Sequence, residues 1–203
     1  MQLMLNDIET DSPIRIEPAR RLNDDEFYDL CAANPDLQIE RTAEGEIAIM
    51  PHTGGETSGR NADLTMQLQA WAKRDRRGKV FDSNGEFILP NGAARSPDAC
   101  WILKSRLAAL SREQKSKFIP LCPDFVVEIL SPSDRLSRLQ AKMREWIGNG
   151  AQLAWLIDPT ARVVYIYRPN ETPERLENPD RVAASAPVDG FVLEMPDIWD
   201  PDL

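Results

Sequence analysis

The stretch PDFVVEILSPSDR, residues 123–135, places one carboxylate inside an apolar strand. Its nearly continuous branched and aromatic residues predict a buried β-strand over residues 124–130. Because strand side chains alternate between two faces, Glu128 shares its face with Val126 and Leu130. A carboxylate buried without a partner is costly and tends to take up a proton. Glu128 therefore indicates a positively charged partner, which is either a basic side chain or a metal ion.

A second carboxylate stands at the start of another apolar strand. Asp98 follows Pro97 directly and opens a strand predicted over residues 95–103. Two carboxylates on two mostly apolar strands suit a divalent cation, which keeps both groups ionised. The alternative is that Asp98 serves only as a turn residue that begins the strand.

The helix predicted over residues 134–149 adds positive charge beside this strand. It has an apolar stripe, and Arg135, Arg138 and Lys142 lie on one flank of that stripe. A lysine on this flank can reach an attacking water molecule or a phosphate. Two other interpretations stay open: a solvated lysine, and an ion pair between Glu128 and Lys142 or Arg135 without any metal.

The remaining pattern predicts a mixed α/β fold. Asn23 and Glu26 form a capping box at the start of a helix. The other predicted elements are that helix over 22–34, a hairpin over 37–50 turning at Glu44-Gly45, a long helix within 51–79 ended near Gly78, a hairpin over 79–90 around Asn84-Gly85, helical fragments in 104–120, and a hairpin over 151–169 turning at Asp158-Pro159-Thr160. We expect an N-terminal arm, 1–20, and one domain, 21–203, whose proline-rich tail from 170 runs over the surface with one or two short strands.

Composition excludes several classes of protein. The chain has 203 residues, 42% of them hydrophobic, and no run approaches the roughly 18 consecutive apolar residues of a membrane span. Its first residues lack the features of a signal peptide, and three scattered cysteines indicate reduced thiols, so we expect a cytoplasmic protein. The net charge of −9 argues against a protein that coats nucleic acid, but it allows a nuclease with a locally basic cleft.

The available ligands restrict the kind of metal. The chain has one histidine, His52, and no Cys-x-x-Cys pair, so its spacing does not support a zinc site. Any metal must therefore be held by carboxylates, which favour a hard cation such as Mg²⁺ or Mn²⁺.

These motifs carry a family resemblance. SPDACWI (96–102), followed by PDFVVEILSPSDRLSRLQAKMREWIGNGAQLAWLIDP (123–159), resembles the Uma-two family of restriction-endonuclease-like proteins, within the PD-(D/E)XK nuclease superfamily. The likeness extends from about Leu22 to Arg168 and includes PHTGGETSGRNADL (51–64). The resemblance implies a restriction-endonuclease-like core with flanking helices and added β-hairpins.

The resemblance also implies roles for individual residues. Asp98 and Glu128 match the two acids of the superfamily motif, and they would hold Mg²⁺ or Mn²⁺ together with the backbone carbonyl of Ile129. The lysine expected two positions after the second acid is replaced by Leu130, and Lys142 of the following helix is the position that fits instead. Glu56 resembles an acid that many relatives place at the first long helix, although a first-turn acid favoured by the helix dipole explains it as well.

Two functions from different classes follow. The first is a metal-dependent endonuclease that hydrolyses DNA phosphodiester bonds, with RNA as an alternative substrate. The second is a catalytically weak or inactive relative that acts as a binding or assembly module, which the acidic balance and the displaced lysine favour. Because the strands of 151–169 are strongly apolar, we also expect a homodimer that buries part of them.

Overall fold

The structure, a computed structural model, describes residues 13–202 and confirms a mixed α/β fold. Two main sheets and a small two-stranded sheet make up its β-structure. In chain order the elements are β1 (Ile14–Ile16), α1 (Asp24–Ala32), β2 (Gln38–Arg41), β3 (Ile47–Met50), α2 (Gly55–Asp75), β4 (Gly78–Asp82), β5 (Phe87–Ile88), β6 (Ala94–Arg95), β7 (Ala99–Leu103), α3 (Lys104–Ala108), α4 (Arg112–Ser116), β8 (Phe125–Ile129), α5 (Leu136–Gly148), β9 (Leu153–Asp158), β10 (Val163–Tyr167), β11 (Glu174–Glu177), β12 (Arg181–Ala183), β13 (Val192–Glu194) and α6 (Pro196–Trp199).

The larger sheet has six strands in the order β11-β10-β9-β8-β7-β4. β8 pairs antiparallel with β7 and parallel with β9, and α5 provides the crossover between the two parallel strands. All five residues of β8 and all six of β9 are buried. The strand that carries Glu128 therefore lies in the interior of the sheet.

The alternation predicted for β8 is confirmed. Phe125, Val127 and Ile129 enter a core formed with α2 and the C-terminal segment, whereas Val126 packs on the opposite side against α5. The core on the α2 side is rich in aromatic rings, and the core on the α5 side includes Met143. Glu128 shares the α5 side with Val126.

The second sheet brings another strand close to this region. Its order is β1-β3-β2-β6-β5, and β2 reaches β6 through the pair Arg41–Ala94. Since β6 ends at Arg95 and β7 begins at Ala99, a short connection joins the two sheets. This connection contains Asp98 and places β2 next to the start of β7.

Several predicted elements form as expected. The capping box of α1 is present, since the Asn23 side chain accepts from the Glu26 backbone and the Glu26 side chain accepts from the Asn23 backbone. β2 and β3 form the predicted hairpin, in which Gly45 has a φ of 96° that favours glycine. β9 and β10 also form a hairpin, with Asp158 opposite Val163.

The hairpin predicted over 79–90 is wrong. The chain turns there, with the Gly85 amide donating to the Asp82 carbonyl at 3.0 Å, but the two flanking strands enter different sheets. β4 pairs with β7 over five residues, and β5 pairs with β6. The longer pairing available to β4 elsewhere overrides the local turn, which sequence spacing alone does not reveal.

The long helix ends near Gly78, as predicted, but this glycine does not cap it. α2 ends at Asp75, and Arg76 takes the left-handed conformation, with a φ of 64°. Gly78 instead begins β4, where an added Cβ would lie 2.0 Å from the Trp101 ring. This glycine is required by close packing against an aromatic side chain, not by a helix cap.

The C-terminal segment is more structured than predicted. It contains β11, β12, β13 and α6, and β11 extends the six-stranded sheet. Phe191, Leu193 and Ile198 are buried in the core on the α2 side of that sheet. The prediction of a surface tail with one or two strands fails because irregularly spaced apolar residues between prolines give no clear period.

Two further expectations concern the arm and the dimer. Residues 1–12 of the predicted arm lie outside the described residues, and β1 from its remainder pairs with β3. The apolar residues of β9 and β10 are largely buried within this one chain, which accounts for the pattern that suggested a homodimer. The division into arm and domain and the homodimer both stay predictions. Over residues 13–202, no helix combines the length and hydropathy needed to cross a membrane.

Candidate active site

A cleft of about 540 Å³ opens where the two sheets meet. Glu128 and Ile129 reach it from β8, Asp98 from the connection before β7, and Lys142 from α5. Glu56, at the start of α2, lies at the same cleft. The structure thus brings all the predicted site residues to the wall of one cleft.

Asp98 is held in place by backbone and side-chain donors. The last pair of the β7–β8 ladder is Ala99–Val127, so the next opposed positions are Asp98 and Glu128. Opposed residues of antiparallel strands point to the same face. One oxygen of Asp98 accepts the Ile129 amide at 2.6 Å and the other accepts from Asn61 of α2 at 2.8 Å. Burial raises the pKa of Asp98, although the Ile129 amide counteracts it.

Glu128 is 5% exposed and uses one oxygen for two partners. Its Oε1 accepts from the Trp146 indole at 2.9 Å and lies 3.0 Å from the Lys142 ammonium. Burial raises the pKa of Glu128 to about 7. The negative charges of Asp98 and Glu40 also raise it, whereas the positive charge of Lys142 lowers it. A divalent cation beside this buried carboxylate would favour its ionised form.

Lys142 lies deep in the cleft, with only 15% of its side chain exposed. Its ammonium donates to Glu40 at 2.9 Å and to the Ser96 carbonyl at 3.1 Å, besides the ion pair with Glu128. Burial opposes its charge, but Glu128 and Glu40 raise the pKa of Lys142 above the ordinary lysine value. Lys142 is therefore a fixed positive charge at neutral pH, and the solvated alternative is excluded.

Glu40 of β2 is the site residue that the sequence analysis missed. It is 5% exposed and accepts from Lys142, from the Ser96 amide at 3.2 Å and from Arg95 at 3.1 Å. Burial would raise the pKa of Glu40, but Lys142 and Arg95 lower it. A glutamate on the polar face of a predicted hairpin resembles a solvated side chain. The only signal was its alternation with Ile39, which does not show that a second sheet covers it.

Arg95 and Glu145 complete a charged cluster around the cleft. Arg95 donates to Glu145 of α5 at 2.7 Å and to Glu40 of β2, so it links two strands of the five-stranded sheet to this helix. We define the charged cluster by its six members: Asp98, Glu128, Glu40, Glu145, Lys142 and Arg95.

The other predicted residues lie outside this cluster. Glu56 occupies the first turn of α2, where its side chain is 68% exposed and pairs with Arg60 at 3.1 Å. That position fits the helix-dipole interpretation as well as a catalytic one. Arg135 precedes α5 and is exposed, and Arg138 is half-buried.

The donor set limits what the cleft could hold. Over residues 13–202, no group of three or more His, Cys, Asp or Glu side chains is arranged to hold a metal ion. Two carboxylates with backbone oxygen still fit Mg²⁺ or Mn²⁺, because such ions usually keep several water ligands. The raised pKa of Glu128, caused first by its burial, also fits a site that gains stability when a cation enters.

Comparison with solved structures supports a nuclease-like fold. The crystal structure of "a putative nuclease belonging to DUF820" from Anabaena variabilis matches with a TM-score of 0.72 and 23% identity, over 88% of this chain and 97% of that one. A cryo-EM structure of a DrdV–DNA complex matches with a TM-score of 0.40 and 16% identity, over 61% of this chain and 10% of that one, which is too low to support an argument. Among curated proteins, none matches this sequence.

A family model supplies the assignment that these structures alone cannot. The model described as "Putative restriction endonuclease", Uma2, matches residues 24–196, which include the six-stranded sheet, the five-stranded sheet except β1, and every member of the charged cluster. The chain therefore belongs to the Uma2 family of restriction-endonuclease-like proteins.

Proposed function

We propose that this protein is a metal-dependent endonuclease that hydrolyses DNA phosphodiester bonds. The observation that carries the proposal is the meeting of Asp98, Glu128 and Lys142 at one cleft on a nuclease-like fold. Membership of the Uma2 family supports a nuclease of the restriction-endonuclease type. The description of the family as restriction endonucleases is the support for DNA as the substrate.

Asp98, Glu128 and the backbone carbonyl of Ile129 would hold Mg²⁺ or Mn²⁺ in this proposal. Such an ion activates water as a nucleophile and neutralises charge on a phosphodiester. The Ile129 amide and Asn61 fix the orientation of the Asp98 carboxylate for that purpose. The Trp146 indole does the same for the Glu128 carboxylate from the core on the α5 side of the sheet.

Lys142 contributes a permanent positive charge. Its raised pKa, caused by Glu128 and Glu40 against the effect of burial, keeps the ammonium protonated at neutral pH. It is therefore unsuited to act as a general base. It can instead stabilise the negative charge that develops on the phosphoryl oxygens, since a preorganised charge in a poorly solvated site is effective.

A nuclease assay tests the proposal. Plasmid, single-stranded DNA and RNA are incubated with purified protein, with and without Mn²⁺. We expect cleavage of DNA that requires the cation, and a loss of at least about a hundredfold in Asp98→Asn, since charge stabilisation worth several kcal/mol would be removed. Glu177→Gln, an exposed acid of β11 three strands from β8, serves as the control and should retain activity.

The other outcomes separate the competing hypotheses. Cleavage of RNA but not of DNA would show that RNA is the substrate instead. Wild-type protein that binds DNA but does not cleave it under any of these conditions supports the second hypothesis, an inactive binding or assembly module. Activity that survives in Asp98→Asn contradicts the assignment of the cleft as the reaction centre.

A further inference from the structure

Glu40 reaches the charged cluster from a different sheet than Asp98 and Glu128. It lies on β2 of the five-stranded sheet, while β7 and β8 belong to the six-stranded sheet. Its carboxylate is buried, and both oxygens accept hydrogen bonds: one from Lys142 and the Ser96 amide, the other from Arg95. Arg95 is also bound by Glu145 of α5, so the partner of this second oxygen is itself held in place.

These contacts give Lys142 two anchors that do not depend on Glu128. An ammonium has three N–H donors, and Lys142 has three partners at 2.9–3.1 Å: Glu40, the Ser96 carbonyl and Glu128. If Glu128 exchanged Lys142 for another positive partner, the lysine would keep its other two contacts. Without Glu40, Glu128 would be the one carboxylate within residues 13–202 left to pair with Lys142.

The charge balance of the cluster depends on Glu40 as well. The charged cluster has four acids and two bases, so two negative charges remain when every member is ionised. Loss of the Glu40 charge would leave one. A divalent cation near Asp98 and Glu128 would then experience a weaker attraction, and Lys142 would compete more strongly for Glu128.

We propose that Glu40 is a positioning residue that holds Lys142 in the cleft independently of Glu128, and so leaves Glu128 available to a cation. The first part concerns this chain alone. The second part, which concerns the cation, rests on the proposed function. Neither follows from the motif residues, because Glu40 lies outside both segments that carry the two acids and Lys142, 96–102 and 123–159.

The first test is made on metal-free protein. Glu40→Gln keeps the shape of the side chain and removes its charge, so Lys142 loses a charged anchor and should become more accessible. Acylation of lysines, mapped by peptide mass spectrometry, is expected to proceed at least about fivefold faster at Lys142 in this variant, because a side chain with a weakened anchor reaches the reagent more often. Glu145→Gln is the matched control, since Glu145 contacts Arg95 but not Lys142, and its rate should stay within about twofold of wild type.

The second test measures Mn²⁺ affinity by calorimetry. Glu40→Gln should bind Mn²⁺ roughly tenfold more weakly than wild type. Glu177→Gln, an exposed acid of β11 far from the cleft, should leave the affinity unchanged. Glu40→Asp, which restores the charge with a side chain one methylene shorter, should recover part of the affinity. If Glu40→Gln does not fold, Glu40→Ala, which also removes the charge, takes its place in both tests.

If Lys142 is acylated at the wild-type rate in a folded variant that lacks the Glu40 charge, the positioning role of Glu40 is overturned, whether or not any cation binds. Faster acylation with unchanged Mn²⁺ affinity overturns the part that concerns the cation. A wild-type protein that neither binds Mn²⁺ nor cleaves DNA contradicts the proposed function instead, and the acylation result still decides the role of Glu40.

Discussion

The two faces of the six-stranded sheet are formed by the same strands but differ in polarity. On the α2 side, β8 contributes Phe125 to a core of stacked and tilted rings that includes Trp155 and Phe191. On the α5 side, the next residues of the same strand lead from Val126 to Glu128 and the charged cluster. One face gains stability by excluding water, and the other retains charges that are costly to bury.

The difference shows where the molecule accepts a free-energy cost. On the aromatic face the rings pack closely: the ring centroids of Phe125 and Trp155 are 5.0 Å apart in an edge-to-face arrangement. The charged face holds Glu128, whose pKa burial raises to about 7. Glu86, just before β5, borders a neighbouring pocket, and burial and the Glu40 charge raise its pKa to about 8. Such cost concentrated in a cleft is typical of a functional site.

The largest expected effect comes from breaking the aromatic face. Phe125→Ala removes a fully buried ring from contact with Trp155 and Phe191, and large-to-small changes of this kind cost about 3–5 kcal/mol. We expect a loss of that size in the free energy of unfolding, measured by urea denaturation monitored by circular dichroism.

The control for this variant is another truncated apolar side chain. Met66 of α2 is 57% exposed, so Met66→Ala should change the free energy of unfolding by no more than about 0.5 kcal/mol. Similar losses in the two variants would contradict the contrast between a packed face and an exposed surface.

A smaller effect should appear as pH dependence on the charged side. One Glu86 oxygen accepts from Ser96 at 3.2 Å, and the other is buried without a partner among the described residues. Burial, followed by the charge of Glu40, raises the pKa of Glu86 to about 8, above its ordinary value. The folded protein therefore binds this proton more tightly than the unfolded chain, and the resulting stability is lost as pH rises towards 8, by at most about 1.4 kcal/mol per pH unit.

Glu86→Gln should remove this dependence because glutamine stays neutral. Thermal unfolding between pH 5 and pH 9 is expected to show a stability difference that grows in favour of the variant as pH rises. Glu128 titrates in both proteins, so the difference isolates Glu86 from it. Parallel curves for variant and wild type would show that Glu86 does not titrate in this range.

Much of the fold could be predicted from local pattern. Alternation within β8 placed Glu128 on the correct face, and the spacing of apolar residues in α5 placed Lys142 on a flank near it. The capping box of α1 depends only on two residues three positions apart, so it also appears in the sequence. These features are local, and local chemistry determines them.

The features that the sequence did not predict depend on distant partners. Glu40 lies at the site because β2 pairs with β6 in the five-stranded sheet, and the chain leads directly from β6 to Asp98. β4 does not form the predicted hairpin because it pairs with β7 over five residues instead. The buried residues of the C-terminal segment follow no regular period. They are buried because they pack on the α2 side of the six-stranded sheet, against strands such as β8 that are distant in sequence.

The central claim is that Asp98 and Glu128 together form a cation site. Calorimetric titration of Mn²⁺ into wild-type protein, Asp98→Ala and Glu128→Ala tests it most directly, with circular dichroism to establish that each variant is folded. We expect one cation to bind to the wild type and both substitutions to abolish binding, because each removes a carboxylate ligand from the same cleft. Unchanged affinity in both variants would contradict the account.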